Sequence, residues 1–188
     1  MKSLNIAGII LAAGKSSRFG SQKLLFPLSD GTPIGIRAAK NLKRVIRNSY
    51  AVVSSLDDEL AELLINEGYE LIHNSNNNGI GSSISCAIKN IEADAYIITL
   101  ADMPYIHSST IHSVSHLLYS GHKIVVPRCK ERNGHPVGIT KDYKNDLITL
   151  SSDIGAKEII KNNYKDLTSL HTADTGVLTD IDFRHELK

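Results

Sequence analysis

The 188-residue sequence predicts one α/β domain, with a mostly parallel, twisted sheet held between two layers of helices. Three observations predict it. Strand-like and helix-like segments alternate from end to end. Two continuous apolar runs, Ile6–Leu11 and Ala95–Leu100, have the character of central parallel strands buried on both faces. No linker, repeat or low-complexity stretch divides the chain, and its length is that of a single domain, residues 1–188.

The elements follow in order. After the Ile6–Leu11 strand, Pro33 opens a helix over residues 33–45, with Ile34, Ala38, Leu42 and Val45 on one face. Residues 50–54 form a second, short strand. Residues 57–67 form a helix with acidic residues in its first turn and Gly68 beyond its last. Glu70–His73 is a third strand, followed by a polar loop over 74–79 and a helix over 82–91. Ala95–Leu100 comes next, then a helix capped by Ser108 or Ser109. Residues 123–127 form a strand and 128–134 a polar segment. Val137–Thr140 is a short strand, two short helical pieces follow, and the tail closes on Asp180-Ile181-Asp182. In such sheets ligands gather at the carboxyl ends of the strands. The loops after Leu11, His73 and Leu100 should therefore share one edge.

Composition narrows the function. The chain carries 21 Lys+Arg against 20 Asp+Glu, a net charge of +1, and its basic residues form no long run. That excludes a strong nucleic-acid footprint, and 41% hydrophobic residues exclude a disordered chain. Cys86 and Cys129 form no CxxC and have no histidine cluster beside them, so they build no zinc site. They suit a reduced cytoplasmic protein, with Cys86 a small core residue on a helix. The apolar stretch after Lys2 is short and broken by Gly8, which suits a buried first strand better than a leader peptide. No apolar run is long enough to cross a membrane.

The loop after the first strand is the most informative. Leu11, Ala12, Ala13 and Gly14 end the apolar run on almost bare backbone, which a ligand can approach closely. Lys15, Arg18 and Lys23 follow. Free N–H groups with cations suit a polyphosphate, although a tight β-to-α turn with solvated basic residues has the same composition. No Gly-Lys-Ser/Thr closes it as in a Walker loop, and it is not a dinucleotide G-x-G-x-x-G fingerprint. Asp102, in Leu100-Ala101-Asp102-Met103-Pro104, sets a carboxylate just beyond a buried strand. There it suits Mg²⁺, or serves as a turn residue bonded to backbone N–H groups. Gly79, Gly81, Ser82 and Ser83 lead into a helix and offer N–H groups and room. Gly134-His135-Pro136 and Ser152-Asp153-Ile154-Gly155-Ala156-Lys157 read locally as a turn histidine and a capped short helix.

Taken together these strings resemble the MobA-like nucleotidyltransferases. Leu11, Ala12, Ala13, Gly14, Arg18, Gly20 and Lys23 fall on the pattern L-A-A-G-x-x-x-R-x-G-x-x-K. Asp102 and Pro104 fall on D-x-P, and Gly134, His135 and Pro136 on G-H-P. Residues 79–85 resemble G-M-[AGS]-x-S-[LI], with Ile80 for methionine. Residues 152–157 resemble G-D-x-G-A-R, with Ser152 for glycine and Lys157 for arginine; lysine keeps the charge but loses the planar fork. Asp180-Ile181-Asp182 resembles the start of D-[IV]-D-T-P-E-D, whose remainder is absent here. The motifs run in family order, and are most similar to the molybdenum-cofactor cytidylyltransferase branch.

The resemblance implies a GT-A-like, Rossmann-like fold and transfer of a nucleoside monophosphate from an NTP to a phosphate of molybdopterin-type cofactor, with release of pyrophosphate. It implies Mg²⁺, or Mn²⁺, on Asp102 and Asp182. Arg18, Lys23 and Asp102 would be catalytic. Leu11, Ala12, Ala13, Gly14, Arg18, Lys23, Gly79, Gly81, Ser82 and Ser83 would bind the nucleotide, CTP in preference to GTP. His135, Asp153 and Lys157 would bind the acceptor. A molybdenum hydroxylase would be the client, and neither nucleic acid nor membrane a partner. GTP, another phosphate acceptor, or a non-catalytic cofactor-delivery role are the alternatives.

Overall fold

β1 (Ile6–Leu11) is buried along its whole length and pairs in parallel on both sides, as a continuous apolar run requires. The computed structural model describes residues 4–14, 19, 22–55, 58–76, 78–151 and 155–183. β1 lies between β2 (Ser49–Val53) and β4 (Ala95–Leu100), and β3 (Glu70–His73) continues the sheet beyond β2. On the other side β7 (Val137–Thr140) runs antiparallel to β4. β5 (Ile124–Cys129) pairs antiparallel with β7 and with the two-residue β6 (Arg132–Asn133). An eighth strand, β8 (Leu167–His171), adds in parallel to β5.

The period-two alternation of β1 divides the core. Ile6 and Ile10 face one layer, made by α1 (Ile34–Lys43), α2 (Glu59–Asn66) and α4 (Ser108–Tyr119). Ala7, Ile9 and Leu11 face the other, made by α3 (Ile80–Asn90), α5 (Lys144–Ile148) and α6 (Lys157–Asn162). The result is the expected α/β fold with helices on both faces.

Several local expectations are corrected. α3 begins at Ile80 rather than residue 82, because Gly79 takes φ 88° as its N-cap, so Gly81, Ser82 and Ser83 lie within its first turn. α4 is not capped by Ser108 or Ser109. Its N-cap is His107, whose N–H donates to the buried Asp174 carboxylate at 2.9 Å; Thr110 Oγ1 donates to the same oxygen at 2.7 Å. β8 is an additional strand that the sequence pattern does not announce. Cys86 is on a helix, as expected, but half-buried rather than in the core; Cys129 is the buried one. Among the described residues no helix is long and apolar enough to cross a membrane.

Candidate active site

The parallel strands carry their chain ends to one edge. Ala12 N–H donates to Val52 O, Asn74 N–H to Val53 O and Ala101 N–H to Leu11 O, each at 2.8–3.1 Å, which aligns the exits of β1, β2, β3 and β4. Gly14, Asn74 and Asp102 therefore leave the sheet together, as the edge rule requires.

At this edge two carboxylates far apart in the chain meet one ammonium. Lys23 opens a short 3-10 turn, Lys23–Leu25, and is buried. Its Nζ donates to Asp102 Oδ2 at 2.8 Å and to Asp182 Oδ1 at 3.3 Å. Burial alone would lower the Lys23 pKa, but the two carboxylates outweigh it and hold it above the ordinary lysine value. Asp182 is brought in by its neighbour: Ile181 is fully buried, and its N–H donates to the Asp102 carbonyl at 3.0 Å. Asp180 is exposed, so of the pair only Asp182 reaches Lys23.

The donor set suits a hard divalent cation. Asp102 Oδ1 is buried and has no hydrogen-bond partner among the described residues, although its other oxygen is paired. A buried carboxylate oxygen left unpaired is costly, and a bound cation would satisfy it. Two carboxylates are too few to enclose a metal, and among the described residues no group of three or more His, Cys, Asp or Glu is placed to hold one. They fit an ion that completes its shell with water and phosphate oxygens.

Two hollows flank this centre. One, of about 320 Å³, is lined by Ala12, Gly14, Gln22, Leu24, Ser54 and Asp58. A Cβ added at Gly14 would meet nothing within 4 Å, so this backbone is open to an incoming group. The first turn of α3 is tied down by side chains. Asn74 Nδ2 donates to Ser83 Oγ at 3.1 Å and to Ser82 Oγ at 3.3 Å, and Ser82 Oγ donates on to Gly79 O at 2.9 Å. Ser83 is buried beneath Asn74, whereas Ser82 is half-buried. Asn74 thus holds a turn that the motifs mark without itself falling on any motif.

The second hollow, about 530 Å³, lies between the ends of β4, β5 and β7 and the helix α6. Its walls are aliphatic, and His135 and Lys157 line it. His135 is positioned by its own N–H, which donates to Val177 O at 2.9 Å. Gly134 has no alternative there, because a Cβ would lie 2.2 Å from the same carbonyl. Burial lowers the His135 pKa; the Ile98 carbonyl and Asp102 oppose that shift and the Lys157 ammonium adds to it. His135 thus lies within electrostatic reach of both Asp102 and Lys157. The remaining expected residues, Arg18 and Asp153, lie outside the described residues.

Comparison with known proteins gives the family and the fold. Residues 8–168 match the model of the MobA-like NTP transferase domain. The molybdenum cofactor cytidylyltransferase of Escherichia coli (strain K12) is 27% identical over 135 residues, covering 71% of this chain and 69% of that protein. The fold is shared with Rv0371c from Mycobacterium tuberculosis H37Rv at a TM-score of 0.85 and 20% identity, covering 98% of this chain and 96% of that one. A manganese complex of Rv0371c from the same organism superposes at 0.77 with 18% identity, covering 89% and 88%. With most of its length on the family model, the chain belongs to the MobA-like NTP transferase family.

Proposed function

We propose that the protein moves a nucleoside monophosphate from an NTP, CTP by preference, to the phosphate of a molybdopterin-type molybdenum cofactor, releasing pyrophosphate. The observation that carries this reading is the Asp102–Lys23–Asp182 cluster, set between the open backbone at Gly14 and a cavity large enough for a second substrate. The similarity to a named cytidylyltransferase supports CTP and the acceptor.

In this reading the chain supplies no covalent nucleophile. The acceptor phosphate oxygen bonds to the α-phosphorus of the NTP, and the bond from that phosphorus to the pyrophosphate oxygen breaks. Asp102 and Asp182 would hold Mg²⁺ or Mn²⁺, which offsets repulsion between the reacting anions and orients them for in-line attack. Leu11, Ala12, Ala13 and Gly14 present backbone to the nucleotide. Gly79, Gly81, Ser82 and Ser83 shape its base site, with Asn74 fixing the turn that carries them. Lys23 and Arg18 supply positive charge on the pyrophosphate side. His135, Asp153 and Lys157 serve the acceptor.

Incubation of the protein with molybdenum cofactor, Mg²⁺ or Mn²⁺ and each NTP, with pyrophosphate as the readout, tests the proposal. Release with CTP and cofactor together is expected. Cofactor binding without pyrophosphate from any NTP would make the chain a delivery protein instead.

A further inference from the structure

The Lys157 position leaves a deficit. A single ammonium there cannot grip a phosphate through two parallel bonds as a guanidinium does. Lys161 lies one turn further along α6, and it lines the same cavity as Lys157. Residues four apart on a helix are neighbours, so both ammonium groups can converge on one anion.

The surroundings leave them available for one. Lys23, Arg37, Lys40, Lys123, Arg128, Lys141 and Lys144 each have a carboxylate within 4.0 Å. Neither Lys157 nor Lys161 has one among the described residues. Among the described residues no acidic side chain lines the cavity, whose walls include Ile80, Ile84, Ile98, Leu100, Val126 and Val137 beside the polar Asn133 and His135. Tyr164, 74% exposed, stands at its edge with its ring unburied. Mostly aliphatic walls, an open aromatic ring and two cations on one helix, neither paired among the described residues, favour a phosphomonoester with an apolar-faced or flat body. They provide few partners for the hydroxyls of a sugar or polyol phosphate.

We propose that Lys161 and Lys157 together form the phosphate grip of the acceptor site, and that Tyr164 packs on the acceptor body held between the aliphatic walls. This rests on the reading of the cavity as the acceptor site, but it concerns binding and is measured without turnover.

The probes are 1-naphthyl phosphate, 1-naphthol and ribose 5-phosphate, with affinities read by ligand fluorescence and, for the sugar, by competition. The wild-type protein should bind naphthyl phosphate more tightly than ribose 5-phosphate. Lys161→Ala should weaken naphthyl phosphate roughly tenfold or more, as loss of a charge-assisted hydrogen bond does. Lys161→Arg should keep the affinity. Naphthol should bind wild type and Lys161→Ala alike, and CTP binding should be unchanged, showing an intact fold. Tyr164→Ser should weaken naphthol and naphthyl phosphate equally. Unchanged naphthyl phosphate affinity in Lys161→Ala, equal losses for naphthol and its phosphate in that variant, or preference for ribose 5-phosphate would each overturn the proposal. These outcomes are separate from pyrophosphate release, so the acceptor grip and the transferase reading can fail independently.

Discussion

Ile181 donates its backbone N–H to the carbonyl of Asp102 at 3.0 Å, and this one bond sets the two carboxylates of the site side by side. The Ile181 side chain is fully buried, so core packing of this neighbour anchors Asp182 in addition to its contact with Lys23. Ile181→Ala should cost about 2–5 kcal/mol of stability by opening a cavity. It should also lower turnover at temperatures where the variant remains folded. Urea unfolding and pyrophosphate release, measured on the same preparation, check both effects; normal turnover would show that Asp182 does not depend on its neighbour.

Asp102→Asn should keep the fold and lose most activity. The amide preserves the shape but not the charge that Lys23 and a divalent cation require. Near-normal pyrophosphate release at ordinary Mg²⁺ would remove the metal assignment.

Lys23 touches both carboxylates that would hold the metal, so ammonium and metal compete for the same oxygens. Lys23→Met should bind Mn²⁺ more tightly than wild type when no nucleotide is present, as read by electron paramagnetic resonance. The same variant should lose on the order of 2–4 kcal/mol of transition-state stabilisation. If kcat holds and only KM rises, Lys23 contributes uniform binding instead.

His135 gives a pH dependence of known sign. Burial depresses its pKa, so the folded protein resists a proton that the unfolded chain accepts. Its contribution to stability is complete above about pH 6.5, the ordinary histidine value, and is lost as pH falls toward the depressed folded value. Melting temperature should drop through this window in the wild type and drop less in His135→Gln. Parallel curves for the two proteins would assign the acid lability to other groups.

CTP should be preferred over GTP. The first turn of α3 is locked by Asn74, Ser82 and Ser83, and a rigid rim excludes a larger base by clash. Parallel titrations with one acceptor measure the ratio of kcat/KM; an equal or reversed ratio would place the chain with guanylyl or unselective transferases.

The legible parts of the fold are those whose signal is local. β1, β3, β4 and β7 lie where apolar runs between polar turns put them. β8 is hidden because Leu167-Thr168-Ser169-Leu170-His171 is polar and only half-buried, and among the described residues it pairs with β5 alone. The start of α3 was hidden because Gly79 caps it by backbone conformation, without a side-chain signal. Within the site, Lys23, Asp102 and Asp182 could each be picked out by motif, but their meeting is a property of the fold. Asn74 and Lys161 carry no motif at all. The roles proposed for them rest on placement: Asn74 bonds to α3, and Lys161 lies one turn from Lys157 on the same cavity.

Asp174 receives the N–H of His107, the hydroxyl of Thr110 and the N–H of Gly176 on one buried carboxylate. A Cβ at Gly176 would lie 2.0 Å from the Tyr105 carbonyl, so the segment after β8 is pressed directly onto the approach to α4. It works as a clasp: it closes the start of a helix in the middle of the chain and, a few residues later, delivers Asp182. Shortening the chain to residue 171 would therefore do more than trim an appendage. It would uncap α4, free the loop that follows Asp102, and remove half of the acidic pair in one cut.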